Sequence, residues 1–341
     1  MAAVRPAQPL PTMITFSTYQ SSMARKCAKV RGALLVNRAD QNPHLNPLPQ
    51  GEADASAPGQ GDFRHELLVN SHHVISAMPE LAEVEWFRKQ WDVARGAAIV
   101  DLSLHARNRV FRGSDVRDLR QRLIGANLLS SHARGKRMLF KFSGENWLGV
   151  HLGMTGKVRV EFPDYRPHKH DHIVLFQPER ALVFTDSRQF GRVRFHHGAD
   201  EPNWWKSDAP EINSRAFDQK FVDRFLGRHR KAPIKAVLLM QNGFPGIGNW
   251  MADEIMWRAE THPSRRTARL SVGERAKIFH ATKHVVRRSL ETLGKDFSDP
   301  PRNWLIHQKW KRDGICPIHR KPLRHATVAG RTTAWCPRCQ R

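Results

Sequence analysis

Hydrophobic positions change their spacing along the chain, and the change predicts two kinds of domain. Leu81, Val84, Phe87 and Trp91 lie three or four residues apart, which is typical of an amphipathic helix over residues 79–95. Short apolar runs of strand length follow from about residue 99 to residue 195, interrupted by one helical pattern at 115–124. Residues 78–200 are therefore predicted to form a two-layer β-sandwich with flanking helices.

The pattern becomes helical after a polar, proline-containing linker at 199–213. Helices are predicted near 215–227, 232–241, 250–260 and 271–293, which gives a helical domain over residues 210–295. Residues 305–341 form a short terminal unit that contains three cysteines. The predicted fold class is thus α+β and multidomain, with a sandwich, a helical domain and a small C-terminal unit.

Residues 1–77 lack sustained periodicity of either kind. Segments rich in Ala, Gly, Pro and Gln, such as residues 41–60, cannot bury a core. No compact apolar run follows a basic start, so the segment does not match an export signal. We predict that residues 1–77 are a disordered leader or translated upstream DNA.

Charge narrows the class of partner. The formal net charge is +24, and residues 1–77 contribute only 7 Lys and Arg against 5 Asp and Glu. An excess of this size over the later residues indicates a polyanion such as nucleic acid, although a soluble basic protein is the simpler alternative.

The sequence has no run of 18 apolar residues, and it carries four cysteines in 341 residues. We therefore expect no membrane span and no disulfide framework.

The C-terminal unit has the spacing of a zinc site. Cys316 and His319 are separated by two residues, and so are Cys336 and Cys339. Paired thiolate and imidazole ligands suit one tetrahedral structural Zn²⁺, and four protein ligands leave no open position for catalysis. The residues between the pairs are predicted to form a β-hairpin that turns at 329–330. Arg331 beside this turn could reach a phosphate, or be an ordinary solvated arginine.

Met78-Pro79-Glu80 reads like the start of a protein. Inside a chain the Pro79 nitrogen is an inert tertiary amide. As a chain terminus it would be a secondary amine, largely unprotonated near neutral pH, that can attack an electrophilic sugar carbon and form an imine. Glu80 and Glu83 would then place carboxylates beside that nucleophile, although the same residues could equally open a surface helix.

Three further segments carry groups that suit a nucleic acid. The glycine-containing loop 241–249 places Asn249 where the next helix begins, a position for an N-cap or for an anion, and Asp253 is predicted in the first turn of that helix. Lys136 precedes a strand and could neutralise a phosphate. A flexible apolar side chain, a guanidinium and an aromatic ring are the groups that fill the space left by an extruded base, although core packing explains Met154 or Phe190 equally well. The candidates for that role are Met154, Arg188 and Phe190.

Taken together and in this order, the motifs from Met78 to the last residue resemble the formamidopyrimidine-DNA glycosylase/endonuclease VIII family of DNA repair enzymes. The resemblance implies a base-excision-repair glycosylase with apurinic/apyrimidinic lyase activity on damaged double-stranded DNA. It implies a β-sandwich domain, a helix–two-turn–helix domain and a zinc-finger hairpin. We also expect a monomer that works on DNA in the bacterial cytoplasm, a localisation inferred from the missing export signal and from the few cysteines.

The resemblance assigns roles to the candidate residues. Pro79 would attack C1′, Glu80 would be the general acid/base that opens the sugar, and Glu83 would assist. Lys136, Asn249 and Arg331 would hold phosphates, and β- then δ-elimination would cut the strand. Met154, Arg188 and Phe190 would fill the void in the DNA, and Cys316, His319, Cys336 and Cys339 would bind one Zn²⁺.

Some positions depart from the family pattern. Ala82 replaces a proline, Gln189 an arginine and His319 a cysteine ligand. The segment 294–309, where the family has its lesion-recognition loop, is short and lacks a glycine-rich stretch. The preferred lesion therefore stays open between oxidised purines, oxidised pyrimidines and ring-opened purines. If residues 1–77 are retained, Pro79 stays blocked and the chain would be a non-catalytic DNA-binding protein.

Overall fold

A computed structural model describes residues 79–341 apart from 106–107 and 207–208. The predictions for residues 1–77 lie outside this part of the chain. The first described helix is α1 (Leu81–Gln90), which continues into a 3₁₀ turn at Trp91–Ala94. A capping box starts α1, because the Glu80 side chain accepts from the third helical N–H while Glu83 accepts from the Glu80 N–H.

Two antiparallel sheets form the predicted sandwich. One sheet has the strand order β1-β6-β7-β5 and the other has the order β2-β3-β4-β8. Helix α2 (Val116–Leu123) lies between β1 and β2, and Asp115 caps it by accepting from two backbone N–H groups. The strands are β1 (Asp101–Leu104), β2 (Leu128–Arg134), β3 (Arg137–Phe142), β4 (Asn146–His151), β5 (Lys157–Glu161), β6 (Asp171–Gln177), β7 (Arg180–Thr185) and β8 (Arg192–His197).

The second half is helical, as its hydrophobic spacing predicts. Asp218 caps the first of its helices, and Ser271 forms a capping box with Glu274 at the start of the longest. The helices are α3 (Gln219–Arg228), α4 (Ile234–Leu238), α5 (Asn249–Arg258), α6 (Val272–Glu291) and α7 (Leu293–Asp296).

The C-terminal unit is the predicted hairpin. Strand β9 (Arg324–Val328) pairs antiparallel with β10 (Arg331–Trp335). The two residues between them, Ala329 and Gly330, both have positive φ, at 52° and 71°. Positive φ at both central residues is the geometry of a type I′ turn, whose twist matches that of the flanking strands.

Helix α1 contributes to two hydrophobic cores. Val84 and Phe87 pack in the sandwich core with residues of both sheets, such as Phe140 and Phe184. Ala82, on another face of the same helix, packs in the core of the helical domain. The residues at the start of α1 are consequently fixed at the junction of the two domains.

Candidate active site and metal centre

The buried Glu80 carboxylate caps a helix that begins far away in sequence. It accepts hydrogen bonds from the backbone N–H groups of Gly248 (2.8 Å), Trp250 (2.9 Å) and Met251 (3.1 Å). The first N–H groups of a helix have no partner within the helix, so a carboxylate from another element satisfies them here. The predicted N-cap role of Asn249 is wrong, because Asn249 is the first helical residue and Gly248 is the cap.

Glycine at position 248 is required by the closeness of this carboxylate. A Cβ on Gly248 would lie 2.3 Å from Cδ of Glu80. Real Cβ atoms do not approach other atoms so closely, so any other residue would displace Glu80. The glycine-containing loop therefore serves the acid, and its tight turn lets backbone N–H groups reach the carboxylate directly.

Glu83 stands one helical turn after Glu80 and is also buried. Its Oε1 accepts from the indole N–H of Trp250 at 3.0 Å, and its Oε2 accepts from the Glu80 N–H at 3.3 Å. Burial and the neighbouring Glu80 carboxylate raise the pKa of Glu83 to about 8. Burial also raises the pKa of Glu80, opposed by the charge of Lys136 and by the N–H groups of Trp250 and Met251. Two such carboxylates hold a proton near neutral pH, as acid–base chemistry needs.

Lys136 faces the two carboxylates from the turn between β2 and β3. The neighbouring Gly135 approaches the glycine-containing loop, since a Cβ there would lie 3.1 Å from the backbone nitrogen of Gly246. Burial lowers the pKa of Lys136, while the charges of Glu80 and Glu83 raise it and that of Arg331 lowers it again. The pKa of Lys136 therefore depends both on the two carboxylates and on Arg331 of the hairpin.

Asn249 joins the start of α5 to the zinc hairpin. Its Nδ2 donates to the carbonyl of Thr332 at 3.1 Å, next to the exposed Arg331. Its buried Oδ1 has no hydrogen-bond partner among the described residues. Predicted residues from four segments are therefore brought together at the start of α5, with Pro79 directly before Glu80. They are Glu80, Glu83, Lys136, Asn249 and Arg331.

Met154, Arg188 and Phe190 lie on two adjoining loops held by the buried Asp186. Oδ1 of Asp186 accepts from the Thr155 hydroxyl at 2.6 Å, and Oδ2 accepts from the Gly191 N–H at 2.6 Å. Phe190 is 45% exposed. The Arg188 guanidinium lies 4.8 Å from the centroid of the Phe190 ring. Core packing of Phe190 is thereby excluded, and no pattern in the sequence indicates the anchoring role of Asp186.

The predicted zinc ligands converge. One ligand atom from each of Cys316, His319, Cys336 and Cys339 lies within 4.8 Å of the others. The sulfurs of Cys316 and Cys339 are 3.7 Å apart, far from a disulfide. Two thiolates bound at about 2.3 Å to one tetrahedral ion would be separated by roughly 3.8 Å, so the spacing and the donor set fit zinc. Trp257 donates its indole N–H to Cys316 Sγ at 3.4 Å, which orients that ligand.

A buried charge network beneath the site was missed by the sequence analysis. Asp253 accepts from Lys235 Nζ at 2.7 Å and from Lys309 Nζ at 2.5 Å. Lys235 also donates to the carbonyl of Thr332 and to the hydroxyl of Thr333 in β10. The network ties α4, α5 and the hairpin together. Asp253 is the fifth residue of α5 and lies in its second turn, so the predicted first-turn position is wrong.

Comparison with known proteins agrees with this geometry. The family models of the formamidopyrimidine-DNA glycosylase N-terminal domain and H2TH (helix–two-turn–helix) domain match residues 78–193 and 209–299. The formamidopyrimidine-DNA glycosylase of Solibacter usitatus is 33% identical over 273 residues, covering 77% of this chain and 100% of that protein. That of Thermus thermophilus is 32% identical, covering 77% of this chain and 98% of its own.

Solved structures of Lactococcus lactis Fpg also share the fold. A complex with DNA that contains an oxidised pyrimidine aligns with a TM-score of 0.70 at 27% identity, over 77% of this chain and 99% of the other. A complex with DNA that contains an abasic site aligns with a TM-score of 0.70 at 26% identity and the same coverage. The chain belongs to the formamidopyrimidine-DNA glycosylase family.

Proposed function

We propose that this protein is a base-excision-repair DNA glycosylase and apurinic/apyrimidinic lyase that removes oxidised or ring-opened bases from double-stranded DNA. The observation that carries the proposal is the buried Glu80 carboxylate, held by three backbone N–H groups and placed directly after a proline. These hydrogen bonds hold the Glu80 carboxylate rigidly, in the residue next to the proline whose nitrogen is the potential nucleophile. The L. lactis complexes with oxidised-pyrimidine and abasic DNA support the substrate class.

The reaction begins with the Pro79 amine, once it is a chain terminus. Its lone pair forms a bond to C1′ of the damaged nucleotide, and the bond from C1′ to the base breaks with its electron pair leaving on the base. The proton that the amine nitrogen then loses goes to the departing base. Glu80 delivers a proton to the sugar ring oxygen, which opens the ring and leaves an iminium. The Glu80 carboxylate formed in that step takes a proton from C2′, and the 3′ phosphate leaves with the electrons of the C3′–O bond in β-elimination. Loss of a C4′ proton then expels the 5′ phosphate in δ-elimination. Glu83 assists by holding a proton near neutral pH beside Glu80, since burial and the Glu80 charge raise its pKa to about 8.

The polar and cationic side chains around the acid hold the DNA. We assign phosphate contacts to Lys136, Asn249 and Arg331, because the structure groups them around the acid and because the basic balance of the chain suits a polyanion. Met154, Arg188 and Phe190 fill the space left by the extruded nucleotide, since an exposed aromatic ring beside a guanidinium can stack on bases.

Zinc has a structural part in this scheme. Cys316, His319, Cys336 and Cys339 would hold one ion, which closes the base of the hairpin. The ion would supply rigidity rather than chemistry, because all four ligand positions come from the protein. The hairpin then presents Arg331 at a fixed place beside Asn249.

The domain boundaries that we propose from the sequence are 78–200, 210–295 and 305–341. None of the helices in the described part of the chain combines the length and apolar composition that a membrane span requires. The relatives named above are bacterial. We propose a monomer that acts on DNA in the bacterial cytoplasm, and size-exclusion chromatography with light scattering tests the monomer.

Borohydride trapping tests the activity. A chain that begins at Pro79 is incubated with duplex DNA containing an abasic site, and borohydride reduces any imine to a stable covalent complex. We expect a trapped complex that is lost in Pro79→Gly and lost when one residue is added before Pro79. The second candidate is a non-catalytic DNA-binding protein, because Met78 acylates the Pro79 nitrogen in the 341-residue sequence. DNA binding with neither trapping nor strand cleavage would establish this second candidate.

A further inference from the structure

Three arginines share the outer face of the sheet β2-β3-β4-β8. Arg137 in β3 and Arg192 in β8 both lie opposite His151 of the intervening β4. Arg194 lies two residues after Arg192 and therefore points to the same face of the sheet. The residues between them, such as Val193, face the sandwich core. This outer face is the opposite side of the sheet from the core.

Trp204, from the linker after β8, covers the same face. It lies against Gly149 of β4 so closely that a Cβ there would be 2.3 Å from the indole ring. Arg137 Nη1 donates to the Trp204 carbonyl at 2.5 Å, and the Arg194 guanidinium lies 5.5 Å from the centroid of the Trp204 ring. The linker therefore folds back and turns the flat sheet surface into a cavity.

The cavity has a volume of about 280 Å³ and is lined by Arg112, Arg137, Arg192 and Arg194, with Phe190 and Trp204 among its other walls. Within the described residues, none of these four arginines forms an ion pair with a carboxylate. The buried Nε of Arg192 has no hydrogen-bond partner in that same part of the chain. Four uncompensated charges and an orphaned donor make a pocket prepared for an anion.

Mutual repulsion shows that the arginines act on one another. Burial and the charges of Arg192 and Arg112 lower the pKa of Arg194, and burial with Arg134 and Arg194 lowers the pKa of Arg137. His151 adds no further positive charge, since burial and nearby cations lower its pKa to about 4 and keep it neutral near pH 7. Like charges held together without counter-charge are costly unless a ligand neutralises them.

We propose that Arg112, Arg137, Arg192 and Arg194, closed over by Trp204, form a binding pocket for a phosphate group. A phosphate offers more acceptor oxygens than the two of a carboxylate. It can therefore accept hydrogen bonds from several guanidinium groups at once. The phosphate comes either from the DNA backbone or from a free phosphate-containing anion. The DNA source rests on the proposed function, and it is favoured because Phe190 lines the pocket and Arg112 donates to the carbonyl of Gly191 in the same loop.

The first experiment measures DNA affinity of the 341-residue chain as a function of salt. The pocket variant R192Q/R194Q is compared with R224Q/R287Q, which removes the same charge from exposed positions on α3 and α6. If one phosphate is bound, the log–log slope of the pocket variant falls in magnitude by about 0.9 relative to the control. Replacing single phosphates of the duplex by neutral methylphosphonates should then weaken wild type at one position and leave the pocket variant unaffected there.

The second experiment titrates DNA-free protein with inorganic phosphate and pyrophosphate in a calorimeter. One site that is present in wild type and R224Q/R287Q, absent in R192Q/R194Q, and compatible with bound DNA identifies a free anion as the ligand. R192K/R194K keeps the charges without the forks and should bind more weakly than wild type, which also guards against misfolding of the glutamine variant. Pocket and control variants that behave alike in both experiments overturn the proposal.

The two proposals fail in different ways. Wild type that does not bind duplex DNA contradicts the proposed function, and the phosphate titration alone then decides whether the pocket exists. Wild type that binds DNA with the same slope and the same methylphosphonate pattern as R192Q/R194Q, and takes up no phosphate, contradicts only the pocket.

Discussion

The Glu80 carboxylate accepts a hydrogen bond of 2.9 Å from the backbone N–H of Trp250, 170 residues further along the chain. The same acid that stands beside Pro79 therefore also satisfies the free N–H groups at the start of α5. Chemistry and folding depend on one side chain, so a change at either end of this contact acts on both.

Glu80→Gln should separate proton transfer from DNA binding. The amide keeps the size of the side chain but cannot deliver the proton, and its NH2 group cannot accept from the N–H groups at the start of α5. Base excision should therefore slow by about 10²- to 10⁴-fold. Binding of DNA that contains an abasic site should change little, because Lys136 and Arg331 remain. Single-turnover excision and a binding titration on the chain beginning at Pro79 measure the two effects. Equal losses of both would show that Glu80 is only a structural cap.

Gly248→Ala should displace the Glu80 side chain while leaving its carboxyl group chemically unchanged. The added Cβ would meet Cδ of Glu80 at 2.3 Å, so the carboxylate must move. We expect excision to fall and the free energy of unfolding to drop by about 1–3 kcal/mol. Gly227→Ala in α3 is the matched control, because no described atom lies within 4 Å of its Cβ. That control should stabilise by about 0.5–1 kcal/mol in urea unfolding.

Glu83→Gln should flatten the pH dependence of stability. The folded-state pKa of about 8 lies above the ordinary 4.5, so the folded protein binds the extra proton. Its contribution to stability is complete below about pH 4.5 and is lost as pH rises through 8. Wild-type Tm should therefore decline over this window more steeply than that of the variant. Some slope remains in the variant, since burial raises the pKa of Glu254 to about 7 in the same direction. Parallel Tm profiles would contradict the raised pKa of Glu83.

Asp253→Asn and Lys309→Met should differ sharply. The first leaves Lys235 and Lys309 buried without a counter-charge and should cost about 3–5 kcal/mol of unfolding free energy. The second leaves the neutral pair of Asp253 with Lys235, 2.7 Å apart, and keeps the side-chain volume, so the loss should stay below about 1.5 kcal/mol. Urea unfolding of both variants measures the difference. A larger loss for Lys309→Met would place the stabilising contact elsewhere.

Cys336→Ser should remove one zinc ion per chain, detected by atomic absorption. Because Arg331 depends on the hairpin for its position, the salt slope of DNA binding should fall in magnitude by about 0.9, one phosphate contact. The control is Cys27→Ser, which removes a cysteine that is not one of the four predicted ligands and should keep both the metal and the slope. An unchanged slope in the metal-free variant would mean that Arg331 does not contact DNA.

Features that depend on neighbours in sequence were predictable. The turn at Ala329 and Gly330 and the pairs Cys316/His319 and Cys336/Cys339 follow from local spacing, and the structure has both. The helical domain and the sandwich follow from hydrophobic periods of 3.6 and 2, whereas the helix–two-turn–helix assignment comes from the family resemblance.

Contacts between distant segments were not predictable. Asn249 resembles an N-cap because the true cap is a glycine helped by Glu80, and no local pattern shows a partner so far away. Arg192 and Arg194 alternate with apolar residues and so indicate only a strand with one exposed face. Their cavity exists because Trp204 folds over Gly149, which depends on the tertiary path of the linker.

Helix α1 belongs to both cores, with Ala82 in one and Val84 in the other. Neither domain can complete its interior while this helix is detached, so the two halves should melt in one transition rather than in sequence. A partly folded chain would still bind DNA through its basic residues, but Glu80 and Glu83 would not be held at the start of α5. Because both domains share this helix, cleavage of the DNA strand requires a completely folded chain.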